Sequence, residues 1–182
     1  MGCVVRNLAI ILADGFEEIE AINTIDILRR AGINVEILSL NDKIVTGAHG
    51  ITLNADDVFD YYGFNGFDGI VFAGGMPNAI SLSENSQVIE LINSFYDNGK
   101  LVCGICATPA IVFSKTKLLD DNLFTCYPGM SNSSNYVDKP VVVSKNVITS
   151  QSPYTAMSFA LTIVKELGYD ISGLQKDLKG EK

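Results

Sequence analysis

The chain of 182 residues has no tryptophan and a single histidine, His49. One imidazole excludes zinc centres built on several histidines, and the H-E-x-x-H arrangement with them. No apolar stretch reaches the ~18 residues that a membrane-spanning helix needs. Positive charge is scarce too: 13 lysines and arginines face 21 carboxylates, for a formal charge of −8. There is no basic stripe, since Lys176, Lys179 and Lys182 alternate with Asp177 and Glu181. Neither nucleic acid nor an anionic membrane is therefore an expected partner. The apolar opening ends in the acidic segment Asp14 to Glu20 without a small-residue cleavage site, so it does not read as a signal peptide. Met1-Gly2-Cys3 begins like an acylation signal, but Arg6 stands where Ser or Thr is required. The expectation is a cytoplasmic protein whose four cysteines are thiols rather than a disulfide framework.

A composition of 47% hydrophobic and 19% charged residues suits one compact domain over residues 1–182. NLAIILA (7–13) reads as a buried strand, and the spacing of Ile19, Ile22, Ile25 and Leu28 predicts a helix from Glu17 to Ala31 stopped at Gly32. INVEILSL (33–40) is a second strand, and 43–53 reads as two short strands joined by a turn. Strands follow at 67–73 and 100–105, with a helix over about 85–98 between them and another starting after Cys106. LFTC (123–126) and 141–150 read as further strands, the latter turning near Lys145-Asn146. Pro153 to Leu167 is a helix with proline in its first turn, and the tail after Gly168 a short surface helix. Alternating strands and helices predict a mostly parallel sheet covered on both faces. Ligands then bind beyond the carboxyl ends of the strands, where Asp14–Glu20, Gly74-Gly75 and Cys106 fall.

KLVCGICATPA (100–110) holds two cysteines in a C-x-x-C. If 100–105 is a strand, Cys103 is inside the sheet and Cys106 stands at the sharp turn into the next helix. A strand–nucleophile–helix turn presents its reactive atom on strained backbone, and a helix N-terminus favours the thiolate and lowers its pKa. A redox pair would place both cysteines at the helix start. A zinc knuckle would need two more ligands from Cys3, Cys126 and His49, so no metal is expected. His49 lies in the predicted hairpin and reaches the cysteine only from a distance or from a second subunit. Glu18 and Glu20 project about 200° apart on the helix, so one can enter the cleft while the other meets solvent. A carboxyl buried beside a cysteine has a raised pKa and can donate a hydrogen bond to the thiolate. Gly74-Gly75 allows close backbone approach, with an N–H placed to stabilise an oxyanion or an oxidised sulfur.

ADGFEEIEA, FAGGM, VCGICATPA and TSQSPYTAMSFAL, in that order, resemble the ThiJ/PfpI superfamily, and its DJ-one-like branch in particular, over residues 7 to about 167. The resemblance implies a flavodoxin-like three-layer α/β sandwich with a nucleophile-elbow cysteine. It also implies a homodimer packed through the first helix and the hairpin around His49. It places the reactive cysteine at Cys106 and its protonated partner at Glu20 rather than Glu18, with pocket N–H groups from Gly75 and Ala107. Tyr127 stands where members of the branch often carry a pocket histidine. The protease branch has histidine directly after the nucleophile; here that residue is Ala107, so peptidase activity is not expected.

The function implied is cofactor-free conversion of reactive carbonyls, such as methylglyoxal to lactate, or removal of early glyoxal adducts from proteins. Its substrate is a small aldehyde or a glycated group, in a pocket expected to be small and unfavourable to acids. A redox sensor or chaperone-like protein, in which Cys106 is oxidised to a sulfinate held by Glu20, fits the same residues. The thiamine-biosynthesis role historically attached to the superfamily finds no support in them.

Overall fold

A computed structural model describes residues 5–59 and 63–181; the Met1–Cys3 opening and Lys182 lie outside the described residues. Seven strands form the main sheet in the order β5-β2-β1-β6-β7-β9-β8. They are β1 Asn7–Leu12, β2 Asn34–Ser39, β5 Asp57–Val58, β6 Gly69–Phe72, β7 Leu101–Ile105, β8 Val141–Ser144 and β9 Val147–Ser150. All neighbours pair in parallel except β8 with β9. β3 (Ile44–Thr46) and β4 (Thr52–Asn54) form a separate antiparallel hairpin. β6 and β7 are apolar almost throughout because a parallel sheet is covered on both sides.

The strand order reverses between β1 and β6. The chain leaves β1 toward β2 through helix α1 (Glu18–Arg30), and leaves β6 in the other direction toward β7 through α2 (Met76–Glu84) and α3 (Ser86–Asp97). Right-handed crossovers of opposite direction put these helices on opposite faces. α5 (Ala156–Glu166) packs on α1, and α2 packs on α3 and on the short α4 (Ala107–Ile111). This is the flavodoxin-like arrangement, with its ligand crevice at the carboxyl ends of β1 and β6.

Helix α1 matches its expected span, with Glu17 as the capping residue and Gly32 at positive φ just beyond the end. Asn85 caps α3, its side chain accepting from the Gln87 and Val88 N–H groups. One expectation fails and one element was unforeseen. Residues 123–126 do not join the sheet: Phe124 makes a single bridge to Tyr136. β9 already has β7 on one edge and β8 on the other, and the Thr125 N–H donates instead to Thr149 Oγ1 (2.9 Å). α2 was not expected at all, although Pro77 in its first turn and the spacing of Ala79 and Leu82 are helix signals. The tail helix α6 (Ser172–Lys179) buries no residue fully, and Leu174 and Leu178 lean on the core from outside.

Candidate active site

Cys106 follows β7 directly and has φ 65°, ψ −115°, a region that non-glycine residues rarely occupy. Its neighbours hold it there. The Cys106 N–H donates to the Ser150 carbonyl of β9 (2.9 Å), and its own carbonyl accepts from the Tyr127 N–H (2.8 Å). Cys103 lies inside β7, paired with Val71 and Ile148, and is fully buried. Burial drives its thiol well above the ordinary value, and the cysteines described are all free. The C-x-x-C thus separates into one core residue and one elbow residue. Cys126 is also buried, which pushes its thiol up to about 11.

Glu20, in the first turn of α1, is 1% exposed. Its Oε2 accepts from the Gly74 N–H at 2.6 Å, while Oε1 is buried without a hydrogen-bond partner among nitrogen and oxygen atoms of the described residues. The carboxyl group also meets the Cys106 thiol. Gly74 makes this meeting possible: a Cβ there would lie 2.6 Å from Cys106 Cβ and 2.7 Å from Glu20 Oε2. Its N–H therefore serves Glu20 and not an oxyanion, a different task from the one expected of it. The donors to the Cys106 sulfur are the N–H groups of Gly75 and Ala107.

Burial pushes the Glu20 carboxyl up to about 7 against the opposing pull of the Gly74 N–H and the Cys106 thiol. Burial, reinforced by the charge of Glu20 and the hydrogen bond with it, pushes Cys106 up to about 12 against the Gly75 and Ala107 N–H groups. The expected lowering by a helix terminus is not what the site shows: α4 has five residues, and the apolar surroundings with a neighbouring carboxylate outweigh it. The two groups titrate as a pair. When Glu20 carries the proton, two of the three influences that raise the thiol vanish. A thiolate at Cys106 therefore forms more readily while Glu20 keeps its proton than after Glu20 has ionised.

Glu18 does not meet solvent as the helical spacing suggested. It is 4% exposed, beneath the β3–β4 turn, where its oxygens accept from the His49 N–H (2.5 Å) and the Ile51 N–H (3.4 Å) and bond the His49 Nδ1 (2.7 Å). Burial would raise Glu18, but these hydrogen bonds override it and the carboxyl titrates low. His49 is itself exposed and lines no part of the Cys106 cavity in its own chain. Glu17, Glu18 and His49 bring ligand-type atoms within 4.8 Å of one another. Glu18 already accepts bonds at both oxygens, and Glu17 Oε2 caps the Glu20 N–H (2.8 Å).

Residues that sequence reasoning missed hold the crevice together. Asn78, fully buried on α2, accepts from the Ala13 N–H (2.7 Å) and donates to the carbonyls of Ala73 (2.9 Å) and Gly74 (3.0 Å). It ties the ends of β1 and β6 to each other. Thr108 Oγ1 donates to the Ala73 carbonyl (2.6 Å), joining the elbow to the same loop. A polar Asn among apolar helix positions was the available signal. Above the sulfur opens a cavity of about 510 Å³, walled by Met76, Tyr127, Pro128, Met130 and Pro153 with Glu17 at its side. The small pocket expected from short side chains is thus corrected, because α2 and the segment after α4 supply larger ones.

The profile of the DJ-1/PfpI family matches residues 6–166. The chain belongs to the DJ-1/PfpI family. It is 36% identical over 168 residues to Protein dj-1beta of Drosophila melanogaster, covering 89% of each chain. It is 32% identical over 164 residues to Deglycase PYRAB04690 of Pyrococcus abyssi, covering 87% of this chain and 97% of that one. Against Protein DJ-1 homolog B of Arabidopsis thaliana it is 33% identical but spans only 38% of that protein's length. Among solved structures, Drosophila melanogaster DJ-1beta superimposes with a TM-score of 0.90 at 36% identity, over 97% of both chains. The C103A mutant of the DJ-1 superfamily protein STM1931 from Salmonella typhimurium does so with 0.90 at 32% identity, over 98% of this chain and all of the other. Among the described residues of this DJ-1/PfpI chain, no helix is long and apolar enough to cross a membrane.

Proposed function

We propose that the protein is a cofactor-free, cysteine-dependent enzyme acting on reactive carbonyls, of the deglycase or methylglyoxal-to-lactate type. The observation that carries this is the elbow thiol of Cys106 set against the buried carboxyl of Glu20, pushed up to about 7, across Gly74. The thiolate adds to the aldehyde carbon, and the oxygen takes up a proton to give a hemithioacetal. Glu20 then removes the proton from that carbon and returns it to the neighbouring one. The resulting thioester is hydrolysed by water, releasing the 2-hydroxy acid and the thiol. Gly75 and Ala107 would steady the sulfur, and Tyr127 would close one wall. Relatives named deglycases in two archaea, at 32% and 30% identity, favour this class.

Wild-type protein should form lactate from methylglyoxal, and Cys106→Ser should form none. Alkylation by iodoacetamide across a pH series, read by mass spectrometry, should modify Cys106 and spare Cys103. Under this proposal, reaction at Cys106 should set in below the pH at which an ordinary thiol ionises. Equal modification of Cys103 would return the C-x-x-C redox reading.

A second reading, a redox sensor in which Cys106 becomes a sulfinate held by Glu20 and the two N–H groups, draws on one specific observation. A relative 30% identical, with a TM-score of 0.86, was solved as "Toxoplasma gondii DJ-1, oxidized". Stoichiometric oxidation at low peroxide without aldehyde turnover would favour it. Self-association is part of the proposal: Ile19 (58% exposed) and Ile22 on α1 and Ile51 in the hairpin offer apolar surface around His49. Sedimentation analysis should find a dimer, with His49 of one copy near the cavity of the other. Free buried thiols suit a reducing compartment such as the cytoplasm.

A further inference from the structure

Taking the carbonyl chemistry of Cys106 as its basis, we infer that the cavity selects uncharged dicarbonyls bearing an aryl or branched alkyl group, over both methylglyoxal and acidic aldehydes. Size is the first argument. About 510 Å³ lies within the ~300–1,000 Å³ of pockets that enclose drug-sized ligands, and a single methyl beside the dicarbonyl leaves most of it to water. The walls are the second. Met76 and Tyr127 are each 47% exposed and, with Met130, Pro128 and Pro153, give the space above Cys106 an apolar lining. A substrate group that covers them removes that surface from water. Thioethers and a phenol ring also make favourable contacts with an aromatic ring.

Charge is the third argument. Among the described residues of its own chain, Glu17 is the one carboxylate on the cavity wall, and no lysine, arginine or histidine lines it. Glu17 is fixed in place, because its Oε2 caps the Glu20 N–H and its own N–H donates to the Gly74 carbonyl at 3.1 Å. An anionic substrate would approach this carboxylate with no cation of the same chain to offset it. Met76, Tyr127 and Met130 therefore act as specificity-determining residues for the hydrophobic end of the substrate, and Glu17 as the element that turns acids away.

The test separates recognition from turnover. Phenacyl chloride, chloroacetone and chloroacetate each alkylate a thiolate by displacement: the C–S bond forms, the C–Cl bond breaks and chloride leaves. The rate at Cys106, located by mass spectrometry and divided by the rate with N-acetylcysteine, isolates what the cavity adds. Phenacyl chloride should exceed chloroacetone by about ten-fold or more, and chloroacetate should fall at least about ten-fold below chloroacetone. Met76→Lys and Tyr127→Ser, both at half-exposed positions, should each cut the aryl preference several-fold, and Met76→Lys should also raise the chloroacetate rate. Equal normalised rates for the three reagents, or a preference untouched by either variant, overturns the inference. Turnover of phenylglyoxal and methylglyoxal is followed in parallel. An aryl preference in alkylation with no turnover of either refutes the enzyme reading while the recognition stands. Equal kcat/KM for both, with no alkylation preference, leaves the enzyme and removes the selectivity.

Discussion

Glu18 and Glu20 are two positions apart on one helix, carry the same functional group and are buried to nearly the same degree, yet their carboxyls shift in opposite directions. Glu18 sits under a hairpin turn that offers two N–H groups and an imidazole. Glu20 sits between a sheet end and an elbow, receives one backbone N–H, and keeps an oxygen buried without a nitrogen or oxygen partner among the described residues. Burial alone decides neither case; the number of donors that satisfy the charged form does. Glu18 is built to remain an anion that anchors the hairpin, and Glu20 to keep its proton until the pH approaches about 7. Each also depends on a glycine whose missing Cβ makes room for its carboxyl, Gly47 for Glu18 and Gly74 for Glu20.

The contrast is tested most severely by turnover. Glu20→Gln should lower Cys106-dependent carbonyl conversion by about 100-fold or more, the scale of a lost general acid–base group. Glu18→Gln should change it by less than about three-fold, since Glu18 touches no reacting atom. A comparable loss in both variants, measured as kcat/KM, would erase the distinction.

Stability comes next in size. Gly74→Ala and Gly47→Ala should each cost about 1–3 kcal/mol by overpacking, read from urea unfolding. Only Gly74→Ala should also displace Cys106, which its altered alkylation rate would report. If Gly47→Ala were neutral, the seat of Glu18 would be looser than the geometry shows.

The pH dependence is smaller and opposite in sign at the two sites. The folded value of Glu20, about 7, stands above its ordinary 4.5. Its contribution to stability is therefore whole below about 4.5 and is lost as the pH rises to about 7. Glu18 titrates below 4.5 when folded, so its contribution is present above 4.5 and lost as the pH falls through the lowered value. Unfolding of wild type against each Gln variant should show the Glu20 slope between about pH 4.5 and 7 and the Glu18 slope in the acid range below about 4.5. The finest readout is His49, whose pKa the Glu18 hydrogen bond and charge raise above 6.5. By NMR titration it should return toward the ordinary value in Glu18→Gln.

The alternation of apolar strands with amphipathic helices determined the fold class without further help, because a parallel sheet buried on both faces requires continuous apolar runs such as NLAIIL and GIVF. The same local logic separated Cys103 from Cys106: a residue inside a strand and a residue at its end differ by register alone. The helix starts near Glu17 and Asn85 and the turn at Lys145-Asn146 were legible for the same reason. What sequence spacing could not determine was the company each side chain keeps. Helical angle put Glu18 and Glu20 on different sides, but the hairpin that covers Glu18 arrives from more than twenty-five residues away. The failed strand at 123–126 depended on whether β9 had a free edge, a property of the assembled sheet. The thiol of Cys106 was expected to ionise easily from its place before a helix. Tertiary packing surrounds it instead with apolar walls and a carboxyl partner, because protonation equilibria answer to the whole environment in space and not to neighbours along the chain.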